Sequence, residues 1–144
     1  MFRKIDDKTY ASPQIEVADI TEAAALGVGL IINNRPEDES PDQTPGAEIQ
    51  AAATGAGIAY VAIPVTHAGF SMPQVEAMQA ALAEAGDKPV LAYCRSGTRS
   101  TLLWALAQAR MGMAPADIAS HAAGAGYDVS PILPQLDFLA AQAR

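Results

Sequence analysis

The chain has 144 residues, of which 50% are hydrophobic and 17% are charged. This composition excludes a disordered chain, and the length supports one hydrophobic core, so we expect a single domain over residues 1–144. No apolar run approaches the roughly 20 residues that a membrane-spanning helix needs. The net charge of −7 is opposite in sign to the surfaces that bind nucleic acid or anionic lipid, so neither partner is expected.

Cysteine and histidine are scarce in this chain, which contains one cysteine, Cys94, and two histidines. A single cysteine forms no internal disulfide, and the N-terminal sequence MFRKIDD lacks the apolar core of an export signal. These observations predict a protein of the reducing cytoplasm. The three side chains also offer no zinc constellation, so neither a metal nor another cofactor is expected.

The chain begins with a predicted strand, helix and strand. Residues 14–17 are predicted to form a short strand. Asp19 and Glu22 have the spacing of a capping box and predict the start of a helix, which Gly27 ends. The apolar residues 28–33 then predict a buried strand.

The pattern continues with alternating helices and strands, and helices occupy the last third. Residues 35–46 form an acidic, proline-rich loop. Ser71 and Gln74 have capping-box spacing and predict a helix that Gly86 ends. The remaining predicted elements are, in chain order, a helix at 44–54, strands at 58–65 and 89–94, and helices at 100–110, after Pro115 and from Ser130 to the C-terminus.

This order of elements predicts an α/β fold with a mainly parallel central sheet and helices on both faces. In such folds, ligands bind at the carboxyl ends of the strands. The segment 90–103, VLAYCRSGTRSTLL, places Cys94 at such an end, and a tight glycine-containing loop and a helix follow it. We therefore expect the functional site at Cys94.

The loop after Cys94 has the features of an anion site. Its backbone N–H groups can converge on one point, and the following helix adds about half a positive charge there. Arg99 offers a planar fork for two oxygens, and the same field favours the nucleophilic thiolate form of Cys94. Ser100 is expected to donate its hydroxyl proton to the sulfur. The residues predicted to surround the anion are Arg95, Ser96, Gly97 and Thr98.

A cysteine that ends a strand is often only a packing residue, because free cysteines are commonly buried. Here the sequence Arg-Ser-Gly-Thr-Arg-Ser offers no packing reason for its position between a core strand and a helix. Two guanidinium groups would also lose their water without a compensating anion. The pattern therefore favours a reactive cysteine.

The sequence CRSGTRS resembles the cysteine loops of cysteine-dependent phosphatases and of rhodanese sulfurtransferases. Nearly the whole chain resembles the phosphatase-like domain of beta-lactamase hydrolase-like proteins. That resemblance implies a fold related to the dual-specificity phosphatases, in which Cys94 attacks a phosphomonoester while Arg99 and the loop amides bind its oxygens. The matching segments are Ser12-Pro13-Gln14-Ile15, Asn33-Asn34-Arg35-Pro36, Ile63-Pro64-Val65 and Gly124-Ala125-Gly126-Tyr127-Asp128.

Two features depart from the phosphatase pattern. Phosphatases of this type have five residues between the cysteine and the arginine, whereas Cys94 and Arg99 are separated by four, as in rhodaneses. The Asp-Val-Arg and Gly-His-Ile elements of a rhodanese are absent, however. The loop that supplies an aspartic acid in the related phosphatases corresponds to residues 66–72, THAGFSM, where His67 is the only titratable group. His67 is either the general acid or a residue that lines the mouth of the loop.

Arg35 follows the strand predicted at 28–33 and is therefore expected at the same sheet edge as Cys94. It either orients the cysteine loop or the substrate, or it lies in a solvated acidic loop. We predict a cysteine-dependent hydrolase that acts on a small phosphomonoester, since the acidic loop would repel polyanions. The alternatives are a rhodanese-like sulfurtransferase with a persulfide on Cys94 and a non-catalytic module for anion binding or redox sensing.

Overall fold

The computed structural model describes residues 2–143, which form a five-stranded sheet between two layers of helices. The strand order is β1-β2-β5-β3-β4, and only β1 is antiparallel to its neighbour. The predicted α/β fold with a mainly parallel sheet is confirmed. The strands are β1 (Arg3–Lys4), β2 (Thr9–Ser12), β3 (Leu30–Asn33), β4 (Ala59–Ala62) and β5 (Val90–Tyr93).

Within the described residues, six α-helices flank the sheet, and short 3-10 helices at Val17–Asp19 and Ser130–Ile132 precede the first and the last of them. No helix within residues 2–143 is both long and apolar enough to cross a membrane. The helices are α1 (Ile20–Ala25), α2 (Gly46–Gly55), α3 (Met72–Glu84), α4 (Thr98–Arg110), α5 (Pro115–Gly124) and α6 (Leu133–Gln142).

The two faces of the sheet form two separate hydrophobic cores. Successive side chains of a strand point to opposite faces, so a strand that is covered on both sides is apolar throughout. In β3, Leu30 and Ile32 pack in the core that α3, α4, α5 and α6 complete, whereas Ile31 packs in the core with α1 and α2. The side chains of β5 alternate between the cores in the same way.

Helix α4 is the most deeply buried helix of the fold. It packs against α3, α5 and α6, and both Leu103 and Trp104 are fully buried. His121 of α5 meets the ring of Trp104 edge-on, with the ring centroids 6.3 Å apart. This packing fixes the helix that follows Cys94.

The strand predicted at residues 14–17 was wrong, because the strand is β2 at Thr9–Ser12. Pro13 has no backbone N–H to donate to the sheet, so the ladder ends before it. Ile15 is fully buried because it packs in the core with α1 and α2. An apolar residue at this position therefore reflects core packing and not a strand.

The predicted capping box of Asp19 and Glu22 was also wrong. The Asp19 carboxylate instead accepts a hydrogen bond of 2.7 Å from the backbone N–H of Glu16, so Asp19 is the last residue of a box and not the first. Helix α1 still begins at Ile20, and Gly27 follows it at a φ of 80°. The second predicted box is confirmed, since the backbone N–H of Ser71 donates to Gln74 over 2.8 Å.

Candidate active site

The carboxyl ends of four parallel strands meet at one edge of the sheet, and Cys94 lies in the middle of this edge. The backbone N–H of Cys94 donates to the carbonyl of Ser12, at the end of β2, over 3.3 Å. On the other side, the N–H of Asn34 donates to the carbonyl of Tyr93 over 2.8 Å. The last residues of the four strands are paired side by side in the order Ser12, Tyr93, Asn33 and Ala62.

The cysteine loop, residues 94–99, wraps around a fully buried thiol. The backbone N–H of Gly97 donates to Cys94 Sγ over 3.1 Å. Gly97 has a φ of 93°, and a Cβ atom built there would lie 2.0 Å from the hydroxyl of Tyr127, so only glycine fits. Helix α4 begins at the next residue, Thr98, so its positive end lies beside the sulfur.

The guanidinium of Arg99 is held by an internal carboxylate. Its two terminal nitrogens donate to the two oxygens of Glu39 over 2.7 and 2.8 Å, and Nη1 also donates to the carbonyl of Val65 over 2.6 Å. The hydrogen bonds from Arg99 are the main cause that lowers the pKa of Glu39 to about 2. The hydrogen bond to Glu39 is also the main cause that raises the pKa of Arg99, and the charge interaction with Cys94 adds to this effect.

Arg35 lies behind this pair and is 5% exposed. Its Nε donates to Glu39 over 2.9 Å, while the terminal nitrogens donate to Gln14 and Ser40 over 3.0 and 3.1 Å. Glu39 thus bridges two arginines. Arg35 is therefore buried and hydrogen-bonded, not solvated, and it is not among the residues that line the cleft. A role in orienting the cysteine loop stays a prediction.

Ser100 makes a different contact from the one expected. Its hydroxyl donates to the side-chain oxygen of Asn34 over 2.7 Å, so the proton is directed at Asn34 and not at Cys94. The amide of Asn34 in turn donates to the carbonyl of Ile63 over 2.9 Å. Ser100 therefore ties the first turn of α4 to the segments that follow β3 and β4, and the N–H of Gly97 contacts the sulfur instead.

The cysteine loop forms one wall of a cleft of about 330 Å³, and the loop before α3 forms the other. His67 lines this cleft and is exposed. The structure thus brings His67 to the cysteine loop, as expected from the position of its segment, and the lining includes no carboxylate. The other predicted residues that line the cleft are Arg95, Ser96, Thr98 and Arg99.

Two residues of the site were not singled out from the sequence. Glu39 belongs to the acidic loop that follows Arg35, and it forms an ion pair with Arg35. The hydroxyl of Tyr127 donates to the carbonyl of Ser96 over 3.1 Å, and the guanidinium of Arg3 lies 5.1 Å from the centre of the Tyr127 ring. Tyr127 lies in a segment that resembles the family, but no local pattern connects it with the cysteine loop.

No group of three or more residues able to hold a metal ion occurs in the part of the chain that the structure describes. The site instead combines the buried thiol of Cys94 with the backbone amides of its loop. The side chains of Arg95, Arg99 and His67 line the cleft beside it. This arrangement can bind a small oxyanion next to a nucleophile.

Comparisons with known proteins identify the family to which this chain is similar. Residues 1–111 match the family described as "Beta-lactamase hydrolase-like protein, phosphatase-like domain". A beta-lactamase hydrolase-like protein of Agrobacterium fabrum is 33% identical over 127 residues, which cover 88% of this chain and 29% of that protein. The chain therefore spans less than a third of the length of this curated relative.

Solved structures share the fold over almost the whole chain. A structure from Neisseria meningitidis, described as that of a candidate phosphatase, is 36% identical and has a TM-score of 0.81, with 99% of this chain and 97% of that chain covered. PTPMT1 in complex with PI(5)P has a TM-score of 0.76 at 13% identity, with 99% of each chain covered, which shows the fold alone.

Proposed function

Because the chain belongs to the family of phosphatase-like domains of beta-lactamase hydrolase-like proteins, we propose that it is a cysteine-dependent enzyme whose Cys94 thiolate attacks a small phosphomonoester. The observation that carries this proposal is the surroundings of Cys94 Sγ. The sulfur accepts the N–H of Gly97 and lies near the N-terminus of α4. Both groups place positive electrostatic potential at the sulfur and at an anion bound beside it.

In the first step, the thiolate forms a bond to phosphorus while the bond from phosphorus to the ester oxygen breaks. The amides of the cysteine loop and Arg99 hold the remaining phosphoryl oxygens, which requires the substrate to share Arg99 with Glu39 or to displace it. His67, on the opposite wall of the cleft, is the group available to protonate the leaving oxygen. Water then attacks phosphorus and releases phosphate and the thiolate.

A specific observation also favours sulfur transfer as a second function. Only four residues separate Cys94 from Arg99, and no carboxylic acid lines the cleft to protonate an ester oxygen. In sulfur transfer, the thiolate attacks the outer sulfur of thiosulfate, the S–S bond breaks, and sulfite leaves as a stable anion. A persulfide remains on Cys94, and its outer sulfur passes to an acceptor thiol. This reaction needs no proton donor for the leaving group.

Two measurements on the purified protein test the proposal. Hydrolysis of an aryl phosphate that is lost in Cys94→Ser supports the phosphatase. Intact-mass spectrometry after incubation with thiosulfate tests the second function, which predicts the added mass of one sulfur atom that is absent in Cys94→Ser. Met111→Ala, an exposed change just after α4, serves as the control and is expected to behave like the wild type.

The outcomes separate the hypotheses. If the sulfur adduct forms but no phosphate is released, sulfur transfer is the function and phosphomonoester hydrolysis is not. If neither reaction occurs and Cys94→Ser still binds phosphate as tightly as the wild type, both catalytic functions fail. The protein is then a non-catalytic anion-binding module.

A further inference from the structure

An apolar groove of about 570 Å³ lies beside the active-site cleft. The first turn of α3 and the segment before it form one side, and α4, α6 and the 3-10 helix before α6 form the rest, with side chains that include Met72, Leu106 and Phe138. None of the lining residues carries a charge. The volume is within the range of small-molecule binding sites, which is about 300–1,000 Å³.

The groove is continuous with the cleft. Gly69, Phe70 and Leu102 line both of them, so the apolar surface adjoins the wall that carries Arg95 and Arg99. A molecule bound across this shared boundary meets cationic groups at one end and only uncharged groups at the other.

The apolar surface of the groove is open to solvent. Phe138 is 62% exposed and Met72 is 43% exposed, although this chain has a net charge of −7. Isolated apolar residues on a surface need no explanation, but a contiguous apolar groove that adjoins a functional cleft marks a binding site.

We propose that the groove binds the apolar part of the substrate while the cysteine loop holds its anionic group. The substrate class is then an alkyl or aryl chain that carries a single terminal oxyanion. This inference rests on the proposed function, since it takes Cys94 and its loop as the place where the anion reacts. It names the substrate property that the cleft alone leaves open, because the cleft contacts only the anionic end.

The test uses binding, so that it does not depend on turnover. Cys94→Ser protein is titrated by calorimetry with n-alkyl sulfates from ethyl to octyl, which carry a stable oxyanion. We expect the dissociation constant to fall about threefold to fourfold for each added methylene until the groove is filled.

Two further changes in this background locate the effect. Phe138→Asp places a charge in the groove and is expected to remove the dependence of the dissociation constant on chain length. Leu26→Asp is the matched control, because Leu26 is 41% exposed and lies just after α1, outside the groove. Since Phe138 is exposed, the variant is expected to fold, which circular dichroism checks, and Met72→Asp repeats the test from the opposite side.

A dissociation constant that does not change with chain length overturns the inference, as does a chain-length dependence that survives both Phe138→Asp and Met72→Asp. The proposed function fails separately. If affinity depends on chain length but no Cys94-dependent reaction occurs, the groove inference stands and the proposed enzymatic function fails. If short substrates are turned over by Cys94 but affinity does not depend on chain length, the proposed function stands and the groove inference fails.

Discussion

Glu39 determines the charge balance of the site, because it neutralises the arginine that was expected to bind the substrate. Its carboxylate contacts both Arg99 and Arg35, and its side chain is 16% exposed. With a pKa of about 2, the carboxylate stays ionised at every pH at which the protein is expected to work. A substrate anion therefore has to compete with an internal one.

This ion pair predicts a defined pH dependence of stability. The pKa of Glu39 is lower in the folded protein than in the unfolded chain, so its stabilisation is fully present above about pH 5 and is lost as the pH falls towards 2. At pH 7 we expect Glu39→Gln to lower the free energy of unfolding by up to about 3 kcal/mol. Urea unfolding from pH 7 to pH 3 is expected to show this deficit shrinking.

Glu22→Gln is the control for that experiment, because Glu22 is exposed on α1. It is expected to unfold like the wild type at each pH. If the deficit of Glu39→Gln stays constant down to pH 3, the ion pair is not its source.

Among the elements, the best predicted were those with a strong local signal. The apolar run of β5 and the capping box of α3 depend on neighbouring residues, and both predictions agree with the structure. The end of β5 also placed Cys94 correctly. Strand β2 has the sequence TYAS, without the continuous apolar run of β5, and its pairing with β5 depends on a contact distant in sequence, so the local pattern did not reveal it.

The contacts within the site were harder to predict. Arg99 and Glu39 are 60 positions apart, and the fold of the loop at residues 35–46 brings them together. The partner of Ser100 could not be predicted for the same reason, since Asn34 is 66 positions away. The sequence therefore indicated which residue types meet at the sheet edge, but not which of them form hydrogen bonds.

The contact between Ser100 and Asn34 predicts how firmly α4 is fixed to the sheet. Ser100→Ala leaves the buried oxygen of Asn34 without its donor, which is expected to cost about 1–3 kcal/mol in the free energy of unfolding. Ser96→Ala is the comparison, because Ser96 is exposed and its hydroxyl contacts only the adjoining loop residue Thr98, with an expected change within about 0.5 kcal/mol. Equal losses in the two variants would show that the contact with Asn34 does not hold the helix.

At the scale of the whole molecule, a small cationic spot lies on an acidic protein. The net charge is −7, and Arg99 is already paired with Glu39. Arg95 also lines the cleft and is exposed. Among the described residues, no carboxylate lies within ion-pair distance of its guanidinium. An anion that approaches the cleft is attracted over a short range only, because salt and the surrounding acidic surface weaken the field.

Arg95 is therefore expected to supply the salt-sensitive part of anion binding. Arg95→Gln is expected to weaken the binding of inorganic phosphate about fivefold at low salt, and less as the salt concentration rises. Titration calorimetry at two salt concentrations measures both effects. Arg110→Gln is the control, since Arg110 ends α4 far along the chain and pairs with Glu76. The same loss in both variants would point to the overall charge and not to the cleft.

Trp104, whose ring packs edge-on against His121, can report on helix α4 through its fluorescence. Trp104 is the single tryptophan of the chain, it is fully buried, and it lies on the helix that starts at the cysteine loop. Its emission therefore comes from one environment, without a second fluorophore of the same kind to average over. We expect an event that separates α4 from its neighbours to expose the indole to water and to shift this emission to longer wavelength. The state of the site can thus be followed in the unlabelled protein in real time.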